Sequence, residues 1–147
     1  LVGWHLELHT DQGQLPRVLD QLPSNVPVVI DHMAKPTQLR SDDPSLKALT
    51  QRAKHSAVNV KLSGAYRLGG LSAEQLARLL LNELGCDALL WGSDWPCTNH
   101  EKFADFEQLM QQAQTWLGCA HLQKVLHDNP IKLYWSHADQ TTLAADA

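Results

Sequence analysis

Val26-Pro27-Val28-Val29-Ile30-Asp31-His32 is a short, nearly all β-branched run that ends in an aspartate and a histidine. Branched side chains suit a pleated strand. An apolar run without alternation suits a strand covered on both faces, as in a parallel sheet. The pattern recurs on either side. Upstream, the apolar run over residues 1–8 ends at His9. Downstream, residues 57–62 lead into Ser63-Gly64, and residues 88–91 lead into Gly92-Ser93-Asp94.

Helical patterns separate these runs. Leu15, Val18, Leu19 and Leu22 share one face over residues 14–22, and Pro16 is tolerated in the first turn. Asp42-Asp43-Pro44 reads as a helix start ahead of Leu46 and Leu49. Ser72 and Gln75 form a capping box before Leu76, Leu79, Leu80 and Leu84, and Gly85 supplies the stop. A long helix carries Phe103, Phe106, Met110, Ala113 and Leu117 up to Gly118. A last short helix holds Leu122, Val125 and Leu126. The tryptophans and phenylalanines are expected mostly in the core.

Four strand–helix units in sequence imply an α/β fold with a parallel sheet. A closed barrel of eight such units takes about 250 residues. Four units therefore fit half of a (β/α)8 barrel, and a small doubly wound sheet is the competing fold. Residues 1–135 form the domain, and residues 136–147 read as a polar tail expected to be flexible. The chain starts at Leu1 rather than at a methionine, which is expected of a piece of a longer protein.

Composition narrows the function. A net charge of -4 without a Lys/Arg stripe argues against nucleic acid. No apolar run approaches the roughly 20 residues of a membrane span. Cys86, Cys97 and Cys119 are odd in number and lack CxxC spacing, so a cytoplasmic setting is expected.

Each strand ends in polar residues: His9, then Asp31-His32, then Ser63-Gly64 with Arg67 soon after, then Asp94. In parallel α/β folds the carboxyl ends of the strands form the active face. A carboxylate such as Asp94 can take a proton from water. A histidine can polarise a carbonyl or bind a metal. An arginine fork matches a substrate carboxylate. Together these residues suggest hydrolysis of an acyl bond in an anionic small molecule. Asn99 lies on the loop after Asp94 and is a further candidate contact. Cys97 has no base paired with it in sequence and reads as structural. His5 reads as packed, and His55, His121 and His127 as surface residues.

Three stretches carry a resemblance. Val29-Ile30-Asp31-His32-Met33-Ala34-Lys35-Pro36, Val60-Lys61-Leu62-Ser63-Gly64-Ala65-Tyr66-Arg67 and Leu90-Trp91-Gly92-Ser93-Asp94-Trp95-Pro96 resemble one branch of the amidohydrolase superfamily. That branch holds the 2-pyrone-4,6-dicarboxylate lactonases and related sugar lactonases. Gly3-Trp4-His5 and Asp128-Asn129-Pro130 are similar to its landmarks too. The resemblance implies the C-terminal half of the barrel, strands five to eight. It implies His32 and Asp94 as catalytic residues, and Arg67, Asn99 and His9 as substrate-binding residues. A histidine at the His9 position is a metal ligand in metal-dependent members, whereas the pyrone lactonase type carries tyrosine there. The family's HxH pair belongs to strand one, so this chain is expected to hold an incomplete site.

The expected activity is therefore opening of a lactone of a carboxylate-bearing small molecule, by a longer parent protein. A metal-dependent decarboxylase of the same superfamily and a catalytically silent half barrel are the alternatives. No cofactor is favoured; a divalent zinc or manganese on His9, His32 and Asp94 is the alternative. No nucleic-acid or membrane partner is expected. Open half-barrel edges are expected to drive homodimerisation or aggregation.

Overall fold

The computed structural model describes residues 4–103 and 105–135. The tail expected over residues 136–147 lies outside the described residues. Four short strands form one parallel sheet: β1 (Leu6–Leu8), β2 (Val28–Ile30), β3 (Val58–Leu62) and β4 (Leu89–Trp91). Their order in the sheet is their order in the chain, β1-β2-β3-β4. A doubly wound sheet reverses its strand order at a switch point. This sheet has none among the described residues, and it has the sequential order of a barrel segment.

The helices follow the strands in turn. They are α1 (Leu15–Leu19), α2 (Pro44–Arg52), α3 (Ala73–Leu84) and α4 (Phe106–Gln123), with α5 (Asn129–Tyr134) last. The predicted starts hold for a local reason. The Asp43 side chain accepts from Ser45 N–H at the head of α2, and the Ser72 hydroxyl accepts from Gln75 N–H at the head of α3. Each satisfies an N–H that the helix leaves without a carbonyl.

One face of the sheet packs against the helices. Val28, Ile30, Val60, Leu62 and Leu89 join Leu15, Leu49, Leu76 and Leu80 in a single buried cluster. Side chains alternate along a strand, so Glu7, Val29, Asn59, Lys61 and Leu90 belong to the other face. The register places Glu7 beside Val29, Val29 beside Asn59, and Lys61 beside Leu90. That face mixes the apolar Val29 and Leu90 with polar side chains. It carries an ion network: Lys61 Nζ is 2.8 Å from Glu7 Oε2 and 3.2 Å from Asp31 Oδ1.

The structure corrects four expectations. First, the helix read as stopping at Gly118 runs through it to Gln123, bent where Gly118 takes φ 61°. A glycine tolerates that conformation and marks a kink here rather than an end. Second, the buried stripe of α4 is Leu109, Ala113 and Leu117, while Phe106 is exposed. Third, the aromatic residues are not mostly core. Trp4, Trp95, Phe106 and Trp135 are all exposed, because they sit before the edge strand β1, on the loop after β4, and at helix ends that the four units do not cover. Fourth, the segment read as a last short helix is a π-helical turn, Lys124–Asp128, that buries Val125 and continues into α5.

Candidate active site

The carboxyl ends of the four strands line one open cleft of about 580 Å³. His9, His32, Arg67, Asp94 and Asn99, the residues singled out from sequence, all border it. The structure therefore brings the five together from four segments, Asp94 and Asn99 sharing the loop after β4.

His32 follows β2 and is buried. Its backbone N–H donates to Ser63 Oγ at 3.3 Å, and its Nδ1 lies 3.1 Å from the same oxygen. With that oxygen already accepting, the Ser63 O–H can donate to Nδ1. The ring proton then sits on Nε2, which is 3.6 Å from Asp94 Oδ1. Burial, opposed by the nearby Asp94 and Asp31 charges, holds the His32 pKa down at about 4. His32 is thus a neutral hydrogen-bond donor at neutral pH. Gly64 makes this approach feasible, since a Cβ there would stand 2.7 Å from His32 Nδ1 and its φ of 59° suits glycine.

Asp94 is gripped at one oxygen. Arg67 Nε donates to Oδ2 at 2.6 Å and the Tyr66 hydroxyl donates to it at 2.7 Å. Burial pushes the Asp94 carboxyl up, but these two donors, helped by the neighbouring His32 and the Arg67 charge, outweigh it, and its pKa lies below the ordinary value. Oδ1 is left for His32 and the cleft. Burial, with Cys97 and Asp94 beside it, raises the Tyr66 pKa, so the phenol keeps its proton and donates. Asp94, Cys97 and Asn99 all take left-handed backbone conformations, with φ of 61°, 60° and 67°. Such strain concentrates at functional loops.

Arg67 was read as a substrate contact. It is also a structural partner of the carboxylate, and Nη2 donates to Thr98 O at 3.1 Å. Nη1 has no hydrogen-bond partner among the described residues. The guanidinium also lies over the Tyr66 ring, 5.4 Å from its centre. Removing it has a consequence beyond binding. Arg67→Met lets the Asp94 pKa rise, so Asp94 stays protonated to higher pH. The acid limb of kcat/KM should move upward in pH, together with a higher KM. An unmoved limb in the pH profile would mean that Arg67 does not tune Asp94.

Four residues escaped the sequence reading as site members. Ser63 and Tyr66 hold His32 and Asp94. Lys61 borders the cleft from β3, paired with Asp31 and Glu7. Lys35 is buried behind the cleft, with Nζ 3.0 Å from His9 Nε2. All four lie within the motif stretches, and Ser63 also stands at the polar end of its strand.

The amidohydrolase family model matches residues 2–135. The chain belongs to the amidohydrolase family. This amidohydrolase chain is 32% identical to a 2-pyrone-4,6-dicarbaxylate hydrolase of Comamonas testosteroni, covering 91% of the chain and 50% of that protein. It is 28% identical to a 4-sulfomuconolactone hydrolase of Rhizobium radiobacter, covering 90% of the chain and 48% of that protein. A Pseudomonas putida structure assigned as a 2-pyrone-4,6-dicarboxylic acid hydrolase superposes with a TM-score of 0.72 at 34% identity, over 89% of this chain and 51% of that one. The chain spans about half the length of the curated relatives it matches. Its four βα units are accordingly half of an amidohydrolase (β/α)8 barrel.

Proposed function

We propose that the protein to which this chain belongs hydrolyses a lactone of a carboxylate-bearing small molecule. The observation that carries this reading is the division of labour on Asp94. Arg67 and Tyr66 hold Oδ2, and Oδ1 faces the cleft beside the His32 N–H. A carboxylate held this way is ionised at neutral pH and has one oxygen open to a water. Asp94 takes a proton from that water, and the resulting hydroxide adds to the lactone carbonyl carbon. The carbonyl oxygen, gaining charge, accepts from His32 Nε2–H. The acyl–oxygen bond then breaks, and the ring oxygen leaves as an alcohol with the proton that Asp94 returns. In this reading Arg67, through Nη1, and Asn99 orient a substrate carboxylate; both line the cleft. The relatives named for hydrolysis of pyrone and muconolactone compounds support the same class of substrate.

A divalent ion does not fit this donor set well. The candidate ligands His9, His32 and Asp94 have cations beside them: Lys35 at 3.0 Å from His9 and Arg67 at 2.6 Å from Asp94. Among the described residues no three His, Cys, Asp or Glu side chains group closely enough to hold a metal. Activity should survive exhaustive chelation, with the ring-opened hydroxy acid as product. Loss of turnover on chelation, restored by added zinc or manganese, would reverse this part of the reading. Release of carbon dioxide would favour a decarboxylase instead.

No helix among the described residues is long and apolar enough to cross a membrane.

A further inference from the structure

Lys35 is buried, yet among the described residues it forms no ion pair with a carboxylate, and its Nζ is 3.0 Å from His9 Nε2. It ends a run of four left-handed residues, His32, Met33, Ala34 and Lys35, with φ of 50°, 56°, 63° and 37°. The left-handed region costs an L-residue about 1–2 kcal/mol. A run of four persists only where the surroundings over-determine it. Its consequence is that one tight turn delivers His32 to Asp94 and Lys35 to His9. The two imidazoles then meet edge to face, with centroids 4.7 Å apart.

An ammonium has only protons to give. When it donates to Nε2, His9 must carry its own proton on Nδ1. Nδ1 has no hydrogen-bond partner among the described residues, and the ring borders the same cleft as Asp94. We propose that Lys35 is a positioning residue that fixes His9 as its Nδ1–H tautomer, so that His9 offers a second N–H, beside that of His32, to the oxyanion formed at the substrate carbonyl. The oxyanion role rests on the lactone-hydrolysis reading; the tautomer does not.

The test joins nitrogen NMR of the His9 ring with kinetics of Lys35→Met and Lys35→Arg in the whole protein that carries this chain. In the unmodified protein Nδ1 should be protonated and Nε2 bare. Lys35→Met should lose that preference, with kcat down on the order of 10–100-fold, as for other residues that orient a site side chain, and KM little changed. Lys35→Arg keeps a donor and should retain both. A proton on Nε2 in the unmodified protein overturns the proposal without any variant. So does a Lys35→Met protein that loses the tautomer and keeps its kcat. If the spectra behave as expected but no lactone is opened, the functional reading fails and the tautomer lock stands.

Discussion

Asp94→Asn should reduce turnover by about 10²–10⁴-fold, the usual cost of losing a general base, with little loss of fold. The substituted amide has one oxygen, and Arg67 and Tyr66 both donate to the Oδ2 position. The amide oxygen therefore settles there, and the NH2 group takes the place of Oδ1. It then confronts the His32 Nε2–H, donor against donor, across the 3.6 Å that separates Asp94 Oδ1 from His32 now. No acceptor remains for the proton of a water in the cleft. The packing changes little, because volume is conserved and the two strongest bonds are kept. Steady-state kinetics beside a thermal melt separates the two effects. A variant that keeps near-full kcat removes Asp94 from the chemistry.

Asp43→Ala should destabilise the protein by about 3–5 kcal/mol, from the loss of a helix cap and the exposure of buried donors. Asp43 is almost wholly buried. Oδ1 caps α2 through Ser45 N–H at 2.8 Å. Oδ2 accepts from Thr37 N–H, Thr37 Oγ1–H and Gln38 N–H at 3.0, 2.9 and 3.1 Å. Alanine leaves four donors without their partner. Total stabilities of single domains are about 5–15 kcal/mol, so the loss is a large share. The melting temperature should fall by about 10 °C. Because Thr37 directly follows the Pro36 that closes the left-handed turn, activity should suffer as well. A fall of less than about 1 kcal/mol on denaturant titration, within the range of an ordinary surface change, contradicts the weight placed on this carboxylate.

The sequence made the strands legible because their signal is local. Each is a β-branched or apolar run bounded by polar residues, and all four runs contain a strand, though the ends are shorter than read. Within the described residues 4–8, β1 is confined to Leu6–Leu8, and residues 26–30 contain β2 only at Val28–Ile30. The caps at Asp43 and Ser72 were equally local. The face of α4 was not, because Leu109 rather than Phe106 turns inward only once α3 and the π-helical turn are in place. Gly118 could be read as an end or a bend, and only packing decides which. The site followed the same division. His9, His32, Arg67 and Asp94 were visible because parallel strands present their carboxyl ends together. Lys35 was not, because its side chain reaches His9 through four successive left-handed residues, a backbone that residue preference alone argues against. The grip of Tyr66 on Asp94 spans 28 positions in the chain and leaves no trace in spacing.

The most direct test is hydrolysis of a carboxylate-bearing lactone in water enriched in oxygen-18, using the whole protein that carries this chain. Water activated by Asp94 and added to the carbonyl should place one labelled oxygen in the new carboxylate and none in the new hydroxyl. Label in the hydroxyl, or a lactone left unopened, would contradict the assignment.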